Sequence, residues 1–403
     1  MKRWQKLLLV LLALLICAQI PFAYRRYRLG RLHDAIQQLN SQRQPRPADQ
    51  FVEYKGVLHV HSFLGGHSTG NFEEMISAAK QNQLDFVVIT EHTSANFNTA
   101  ALTLKGNHGG VLFINGNEVS SPTQERLLIF PGDETANLSE DLPIAGELAR
   151  ARERGALALV AYPQEFKSWN AGGYDGVEVY NVYTNARHIN PFVMFFDGLW
   201  SYRSYPDLLF ATFYARPGDS MKRWDDAIRL TGKPLVATAG NDAHANVGLS
   251  LDDASGKTWV GFTADPYERS FRLVRMHVLV PAGEPLNSAS LLRALAAGHC
   301  FIAFDLFGDP SGFRFKATNG NEQKIQGDEI ALRNRVALSL RLPVSARVVL
   351  LKDGQFVKED VGIKEKEYEV TEKGSYRVEV YLPQLPGAAG AQPWIISNPI
   401  YVK

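Results

Sequence analysis

Histidines and acidic residues stand at the ends of several apolar, strand-like runs of this chain. The runs GVLHVH, LDFVVIT, VLFING and PLVATAG end in or lead into His59, His61, Glu91, His92, Glu118, Asp242 and His244. On a strand, the i, i+2 spacing of His59 and His61 points both imidazoles to the same face. Imidazole nitrogens and carboxylate oxygens are the ligands that borderline divalent metals prefer. The sequence therefore predicts a metal site at these strand ends.

The elements that must position these residues alternate between strands and helices. Asn71 can cap a helix through NFEEMISAAKQNQ, and the strand-like runs ALALVAY and GVEVYN precede a helix around SMKRWDDAIRLTG. This alternation predicts an α/β fold with a parallel sheet or barrel, whose functional groups gather at the carboxyl ends of the strands. A buried cluster of charges without partners is costly, so we expect a bound metal there.

A competing interpretation places a serine nucleophile in the same region, because Gly66-His67-Ser68-Thr69-Gly70 matches the pattern G-x-S-x-G. A nucleophile on such an elbow follows its strand directly, whereas the strand before Ser68 is predicted to end near Ser62. The serine interpretation also leaves the acidic residues and histidines of the other strand ends without a role. Gly66 and Gly70 are better explained as parts of a flexible loop over the metals.

The chain divides into four predicted segments. Residues 1–30 form a hydrophobic leader, residues 31–50 a polar, proline-containing spacer, and residues 51–310 the α/β body. From about residue 311 the pattern changes to short runs of alternating polarity separated by turns, such as RVALSLRL and YRVEVYL. This pattern predicts a C-terminal antiparallel β-sandwich over residues 311–403.

The leader contains an apolar run, LLLVLLALLICAQIPFA, flanked by basic residues on both sides. Its length is at the lower limit for crossing a bilayer and exceeds a typical signal-peptide core. Pro21 makes a poor cleavage site before Tyr24. We expect a membrane anchor with the body outside the cytoplasm, in the periplasm or at the cell surface; secretion after cleavage and a buried core helix are the alternatives.

Composition excludes two classes of interaction. The formal net charge is +1, so no strong positive field is available for binding nucleic acid. The two cysteines are Cys17, which lies in the leader, and Cys300, so no disulfide framework is possible.

In this order, the motifs LHVHS, ITEHT, NGNEVS and GNDAH resemble those of the PHP (polymerase and histidinol phosphatase) domain family, over residues 54 to 305. The stretches YKGVLHVHS, GVEVYN and WIISNPIYVK look most like the branch that includes carbaryl hydrolase of the CehA type. The resemblance implies a distorted (β/α) barrel with up to three zinc, manganese or iron ions. It places His59, His61, Glu118 and Asp242 on one metal, His92 on a second and His244 on a third. Glu118 would bridge, and Glu91 would ligate a metal or orient His92.

The sequence departs from the family pattern at two positions. The aspartate expected a few residues after H-x-H is absent, and His67 either replaces it as a ligand or lies in a surface loop. The family's His-Pro pair is Tyr162-Pro163 here, and a neutral phenol is a poor metal ligand. Tyr162 would therefore donate a hydrogen bond to a substrate oxygen or fill the mouth of the barrel, and the third metal site is weak, absent or altered.

Three functions are compatible with these residues. The first is a phosphoesterase, in which a bound metal lowers the pKa of water from about 16 towards 7 so that hydroxide attacks a phosphate ester. The second is a hydrolase of carbamates, amides or carboxylic esters, and the third is a degenerate binding protein. Catalytic roles are predicted for His61, His92, Asp242 and Tyr162. Substrate contacts are predicted for Asn181, Arg187 and His188, with Arg203 and Arg216 in the same aromatic insertion, which forms a lid, a membrane-facing segment or core.

Overall fold

The computed structural model describes residues 2–45, 49–135, 142–187, 189–246, 248–252, 258–263 and 265–403. Their helices are α1 (Arg3–Ser41), α2 (Phe72–Gln81), α3 (Thr99–Leu102), α4 (Ile144–Glu153), α5 (Val182–Ala186), α6 (Pro191–Ser201), α7 (Gly218–Thr231), α8 (Tyr267–Leu273), α9 (Ser288–Ala296) and α10 (Ala388–Ala391). Short 3₁₀ turns occupy Phe63–Gly65, Trp169–Ala171, Asp207–Thr212 and Asp305–Phe307.

Fourteen strands of the described residues precede residue 304: β1 (Phe51–Val60), β2 (Phe86–Ile89), β3 (Glu91–His92), β4 (Gly106–His108), β5 (Val111–Ile114), β6 (Asn117–Ser120), β7 (Arg126–Phe130), β8 (Leu157–Ala161), β9 (Gly176–Asn181), β10 (Val236–Ala243), β11 (Gly248–Asp252), β12 (Thr258–Thr263), β13 (Arg275–Pro281) and β14 (Cys300–Ala303). The remainder are β15 (Arg314–Asn319), β16 (Glu322–Ile325), β17 (Glu329–Ile330), β18 (Val336–Lys352), β19 (Gln355–Val370), β20 (Gly374–Tyr381), β21 (Pro393–Ser397) and β22 (Ile400–Val402). The predicted α/β fold with an N-terminal apolar helix is confirmed.

The strands of the body pair in a closed circuit. Parallel pairs join β8 to β9, β9 to β10, β10 to β1, β1 to β2 and β2 to β5. β5 leads into β6, and antiparallel pairs join β6 to β7 and β7 to β8. The parallel strands therefore deliver their carboxyl ends to one rim. The expected parallel pairing does not extend to β7, which runs in the opposite direction and begins at that rim.

β1 is shared between two sets of partners. Its first residues pair with β13, from Phe51 opposite Pro281 to Gly56 opposite Met276. Its last residues lie between β10 and β2. Gly56 permits this crowding, because a Cβ built there would lie 2.3 Å from the carbonyl oxygen of Phe86.

The C-terminal strands continue the same hydrogen-bonded network. β13 pairs with β14 and β14 with β21, both antiparallel. β18 pairs with β15, β19 and β20, and its side chains alternate between buried and partly exposed along most of its length. That alternation is the period-2 pattern of a strand with one covered face. One pair here, β17 with β22, is parallel.

Helix α1 corrects the predicted spacer at residues 31–50. The helix continues to Ser41, and its second half packs on the body through the buried residues Leu29, Leu32, Ile36 and Leu39. These residues follow the i, i+3, i+4 spacing of one helix face. The apolar first half is exposed and is long enough to cross a membrane.

Candidate metal centre

The end of β1 with the residue after it, strand β6 and the end of β10 bring four ligand atoms together at the rim. The groups are His59, His61, Glu118 and Asp242, and all four residues are buried. His59 Nε2 lies 3.2 Å from Glu118 Oε2 and 3.4 Å from Asp242 Oδ1. His61 Nε2 lies 3.4 Å from each of the same two oxygens. These four atoms enclose a small space between them.

The dimensions of this group fit a metal ion. Four ligands at about 2.0–2.2 Å from zinc stand roughly 3.3–3.6 Å apart in a tetrahedron, close to the separations above. Within the described residues, both ring nitrogens of His61 and Oδ1 of Asp242 are buried without a hydrogen-bond partner. Such atoms are costly to bury unless something binds them. The donor set and the unpartnered atoms therefore agree with a divalent ion.

A second group of imidazoles adjoins the first towards solvent. His61, His92 and His244 can share one ion. His67 Nε2 also lies 3.1 Å from His92 Nε2 and 2.9 Å from His244 Nε2. A single imidazole nitrogen carries either one hydrogen or one lone pair, so it cannot satisfy both neighbours through hydrogen bonds. Convergence of three such nitrogens is typical of a metal site, and it brings His67 to the candidate centre.

Glu118 lies between the two groups. Its Oε2 is 3.4 Å from His92 Nδ1 as well as close to His59 and His61. β6 carries Glu118 and pairs in parallel with β3, which carries His92 opposite it. One carboxylate oxygen thus faces three imidazoles, and the expectation that Glu118 bridges two ions stays a prediction.

Glu178 supports the centre from beneath. Its Oε1 lies 2.7 Å from His59 Nδ1, while Asn181 donates a hydrogen bond of 3.0 Å to its Oε2. A carboxylate on the far nitrogen of a ligating histidine fixes the tautomer and the ring orientation. Gly240 makes room for it, because a Cβ built there would lie 1.8 Å from Glu178 Oε1. Among the candidate ligands and substrate residues predicted from the sequence, Glu178 was missed, although GVEVY contains it.

Tyr162 and Asn181 hold Asp242 in position through hydrogen bonds. The Tyr162 hydroxyl donates to Asp242 Oδ2 at 2.6 Å, and Asn181 Nδ2 donates to the same oxygen at 3.3 Å. Oδ1 is thereby left to face His59 and His61. The bond to Asp242 was not among the roles expected for Tyr162, and a substrate contact by Tyr162 or Asn181 stays a prediction.

Three of these residues have strained backbones. His59, Tyr162 and Asp242 have φ values of 60°, 47° and 48°, in the left-handed region that costs non-glycine residues of order 1 kcal/mol or more. The positive φ of His59 coincides with register shifts in the pairings of β1 with β10 and with β2. The regular i, i+2 alternation of a strand, on which the sequence prediction relied, is therefore not what brings the two imidazoles together.

The protonation states of His61, His92, Glu118 and Asp242 suit metal binding. For His59, burial lowers the pKa, but the charges of Glu178 and Asp242 outweigh it and raise the pKa well above its usual value, so His59 must lose a proton to ligate a metal. Burial lowers the pKa of His61 to about 4 and that of His92 to about 3, so both are neutral at pH 7. Burial tends to raise the pKa of Glu118 and Asp242, but the nearby imidazoles, His59 above all, outweigh it and hold both well below their usual values. Neutral imidazoles and ionised carboxylates are the ligating forms.

Arg126 places a positive charge at the rim and was not predicted from the sequence. Its NH1 donates to Glu118 Oε1 at 2.8 Å, and its guanidinium lies 5.2 Å from the centre of the Tyr162 ring. The side chain is 35% exposed, so it can contact a ligand that approaches from solvent. Arg126 begins β7, opposite Ser120 of β6 and Ala161 of β8. Arg126 was not predicted because it stands at the beginning of a strand, and only the antiparallel direction of β7 places that beginning at the rim.

Glu91 and Ser68 have structural contacts. Glu91 is absent from both candidate ligand groups of the described residues. Its carboxylate accepts hydrogen bonds from the backbone and hydroxyl of Ser62 and from Thr103, so it fixes the turn after His61. Ser68 donates to the carbonyl of His244, and no imidazole is a hydrogen-bond partner of its hydroxyl in the described part of the chain. These contacts give the serine-nucleophile interpretation no support.

The predicted substrate cations are ion-paired, exposed or outside the described residues. Arg187 forms an exposed ion pair of 3.0 Å with Glu165, and Arg203 is exposed. Arg216 lines a cavity of about 200 Å³ beside Tyr162 and Asn181, but its charge is paired with Glu379. His188 lies outside the described residues.

Comparisons with known proteins give limited similarity. No protein-family model matches the chain, and no curated protein matches it. A two-domain protein from Bacteroides vulgatus, described as containing a predicted PHP-like metal-dependent phosphoesterase, is 13% identical over 89% of this chain and 98% of its own, with a TM-score of 0.41. PsfC from Pseudomonas syringae is 14% identical over 62% and 91%, with a TM-score of 0.37. A protein from Bifidobacterium adolescentis, provisionally described as a metal-dependent phosphoesterase, is 12% identical over 56% and 96%, with a TM-score of 0.29. Scores of this size carry no information about activity.

Proposed function

We propose that the protein is a metal-dependent hydrolase of phosphate esters. The observation that carries this proposal is the buried group His59, His61, Glu118 and Asp242, with Arg126 bound to the outer oxygen of Glu118. The order of the four sequence motifs supports it independently. The closed circuit of strands is consistent with the distorted barrel expected from that resemblance, with the C-terminal strands as a sandwich.

The ligands would be divided between two ions at adjacent positions. His59, His61, Glu118 and Asp242 would hold the buried ion, and His92, His244 and His67 the outer one, with Glu118 between them. Zinc or manganese suits this mixture of nitrogen and oxygen donors, and iron is a further candidate. Such an ion, when bound, polarises the substrate and lowers the pKa of water so that hydroxide is available at neutral pH.

The chain itself supplies orientation and charge. Glu178 holds the ring of His59, and Tyr162 together with Asn181 holds Asp242 so that only Oδ1 faces the ligand group. Among the described residues, the other guanidinium N–H groups of Arg126 have no hydrogen-bond partner, so its planar fork can bind two oxygens of a phosphoryl group. The exposed side of the centre, lined by His67, His92 and Arg126, is the route for substrate.

Arg126 favours a phosphate ester over the alternative substrates. A hydrolase of neutral carbamates, amides or carboxylic esters gains little from a guanidinium beside its metals, whereas a phosphate ester carries the charge that this group attracts. A degenerate binding protein stays the third candidate, and only turnover separates it from the first two.

The proposal is tested with p-nitrophenyl phosphate, bis-p-nitrophenyl phosphate and p-nitrophenyl acetate as substrates, with manganese or zinc added. We expect turnover of a phosphate ester, and Arg126→Gln to lower its kcat/KM at least about tenfold while changing acetate hydrolysis much less. Arg347→Gln is the matched control, since Arg347 also pairs with a glutamate and lies over a tyrosine ring, but in the C-terminal strands. Turnover of the acetate alone would identify the second candidate, and no turnover with any metal the third.

We also propose that α1 anchors the chain in a membrane, with the catalytic body outside the cytoplasm. The exposed apolar half of α1 supports an anchor. Removal of residues up to Ala23 by a signal peptidase would also remove Phe22, which is buried against α6. An uncleaved helix keeps that contact.

A further inference from the structure

We propose that helix α6 lies in the surface of the same bilayer that α1 crosses, and so gives the body a second membrane contact. The inference rests on the proposed anchoring by α1. Its partner is the boundary between lipid headgroups and acyl chains.

On helix α6 apolar side chains are exposed and the charged side chain is buried, which is the reverse of a helix that faces water. Phe192, Phe195 and Leu199 are 64%, 61% and 68% exposed, and their i, i+3, i+7 spacing places them on one face. The charged residue of the same helix, Asp197, is 1% exposed. Exposed aromatic and aliphatic residues on one contiguous face mark an interaction surface.

α6 packs on α1 at the end of its apolar run. The ring of Phe22 stacks on Phe196, with centroids 4.9 Å apart, and Trp200 donates to Gln19 Oε1 at 3.0 Å. Arg25 forms a bidentate ion pair with Asp197. The exposed face of α6 is therefore continuous with the exposed apolar surface of α1.

The length of the apolar run puts this contact at the edge of the bilayer. Trp4 and Tyr24 are both about 60% exposed and stand twenty residues apart on α1, which is about 30 Å along a helix and roughly the thickness of the hydrocarbon core. Tryptophan and tyrosine are enriched at the two interfaces of a bilayer. The boundary then falls near Tyr24, the level at which α6 crosses.

The charge and composition of this region favour lipid, rather than a second protein, as the partner of the exposed face of α6. Arg28 and Arg31 follow Tyr24 on α1 and are exposed, so they can pair with lipid phosphates. Arg26, between them and Tyr24, donates to the carbonyl of Trp200 and to the hydroxyl of Ser204. An interfacial helix inserts its apolar face into the headgroup and acyl boundary. A single anchoring helix leaves the body free to tilt, and a second contact restricts that motion.

Depth-dependent fluorescence quenching in the full-length protein tests the inference. An environment-sensitive fluorophore is attached to Leu199→Cys in a Cys17→Ser background; Cys300 is fully buried and does not compete. The protein is reconstituted into phosphatidylcholine and phosphatidylglycerol vesicles carrying nitroxides near the headgroup or deep in the acyl chains. We expect blue-shifted emission, quenched several-fold more by the shallow nitroxide than the emission from Leu230→Cys, a 54% exposed leucine on α7.

Labelled Cys17 in the otherwise unchanged chain separates the two proposals. If the Cys17 probe is quenched by the deep nitroxide while the Leu199 probe behaves like the Leu230 probe, α1 is an anchor and the inference about α6 is overturned. If the Cys17 probe is also in water, the anchoring proposal and the inference both fail. Phe195→Cys repeats the measurement should Leu199→Cys not fold, as judged by circular dichroism.

Discussion

Glu178 is buried, and its contact with Nδ1 of His59 fixes the orientation in which His59 Nε2 faces the other ligands. Replacement by glutamine keeps the size of the side chain and removes the charge that opposes Nδ1. We expect Glu178→Gln to weaken binding of zinc or manganese about 10- to 100-fold, the usual effect of losing a carboxylate behind a ligating histidine. Metal titration by calorimetry measures it, with Glu329→Gln as a control, since Glu329 forms an exposed ion pair with Lys403. Equal affinity in the variant and the wild type would remove Glu178 from the centre.

Gly240 offers a second measure of the same contact. A methyl group there would stand 1.8 Å from Glu178 Oε1 and 2.9 Å from the Cβ of His59. We expect Gly240→Ala to displace the carboxylate, to lower metal affinity as Glu178→Gln does, and to cost about 1–3 kcal/mol of unfolding free energy by overpacking. Gly146→Ala in α4, whose new methyl would meet nothing closer than 3.4 Å, should not destabilise the protein. Denaturant unfolding and metal titration together check both variants, and an unperturbed Gly240→Ala protein contradicts the packing described.

The site could be predicted from the sequence as far as it depends on residue type and strand position. His59, His61, Glu118 and Asp242 follow that rule and converge. Arg126 and Glu178 do not, since the first begins the one reversed strand of the circuit and the second lies within a strand that is buried throughout. Tyr162 could be recognised as a departure, but its bond to Asp242 depends on the left-handed backbone at both residues, which no local pattern specifies.

Helix α1 combines two halves with different surroundings. Leu32 is 4% exposed against the body, and Leu12 is 50% exposed in the apolar run. We expect Leu32→Ala to lower the free energy of unfolding in detergent by about 2–5 kcal/mol, the cost of a cavity in a core, and Leu12→Ala to change it by less than about 0.5 kcal/mol. Denaturant unfolding followed by tryptophan fluorescence compares them. Equal effects would mean that the second half of α1 is not docked.

The same helix shows why a spacer was predicted at residues 31–50. Glutamines, prolines and arginines dominate that stretch, and composition alone indicates a flexible linker. Leu32, Ile36 and Leu39 in this stretch lie on one helix face and are buried. Their spacing is compatible with a helix, but the surface of the body that they contact cannot be read from the sequence. Asn71, by contrast, was identified as a cap because its bond to Glu74 is local, and the capping box confirms it.

A buried ionic network joins β1, β13 and the start of the C-terminal strands. His277 lies 2.9 Å from Glu53 and 3.0 Å from Asp305, and its ring stacks on Phe301. Arg314 also binds Glu53, and Arg275 also binds Asp305. Burial lowers the pKa of His277, but the charges of Asp305 and Glu53 outweigh it and raise the pKa to about 9.

The raised pKa predicts a pH dependence of stability. Because the folded pKa exceeds the unfolded value of about 6.5, the contribution of His277 is fully present below that pH and is lost as the pH rises through about 9. We expect the difference in unfolding free energy between wild type and His277→Gln to be largest near pH 6 and to shrink towards alkaline pH. Denaturant unfolding across that range measures it, and a difference independent of pH contradicts a charged His277.

At the scale of the whole chain, the sequence pattern changes near residue 311, but antiparallel pairing already begins with β13 and β14, and the continuity across residue 311 could not be predicted. The antiparallel pair of β14 and β21 links strands almost a hundred residues apart in sequence, and neither strand alone specifies its partner. The division into a body and a C-terminal unit stays a prediction.

The partners of β1 are synthesised long after β1 itself, so this strand completes its pairing late in folding. The strand that carries His59 is made early, but its neighbours β10 and β13 are made much later, and Phe51 finds Pro281 only after most of the chain exists. Contacts so distant in sequence form late. The candidate ligands therefore come together only late in folding. If the body folds outside the cytoplasm, as proposed, the ions present in that compartment would determine which metal the site binds.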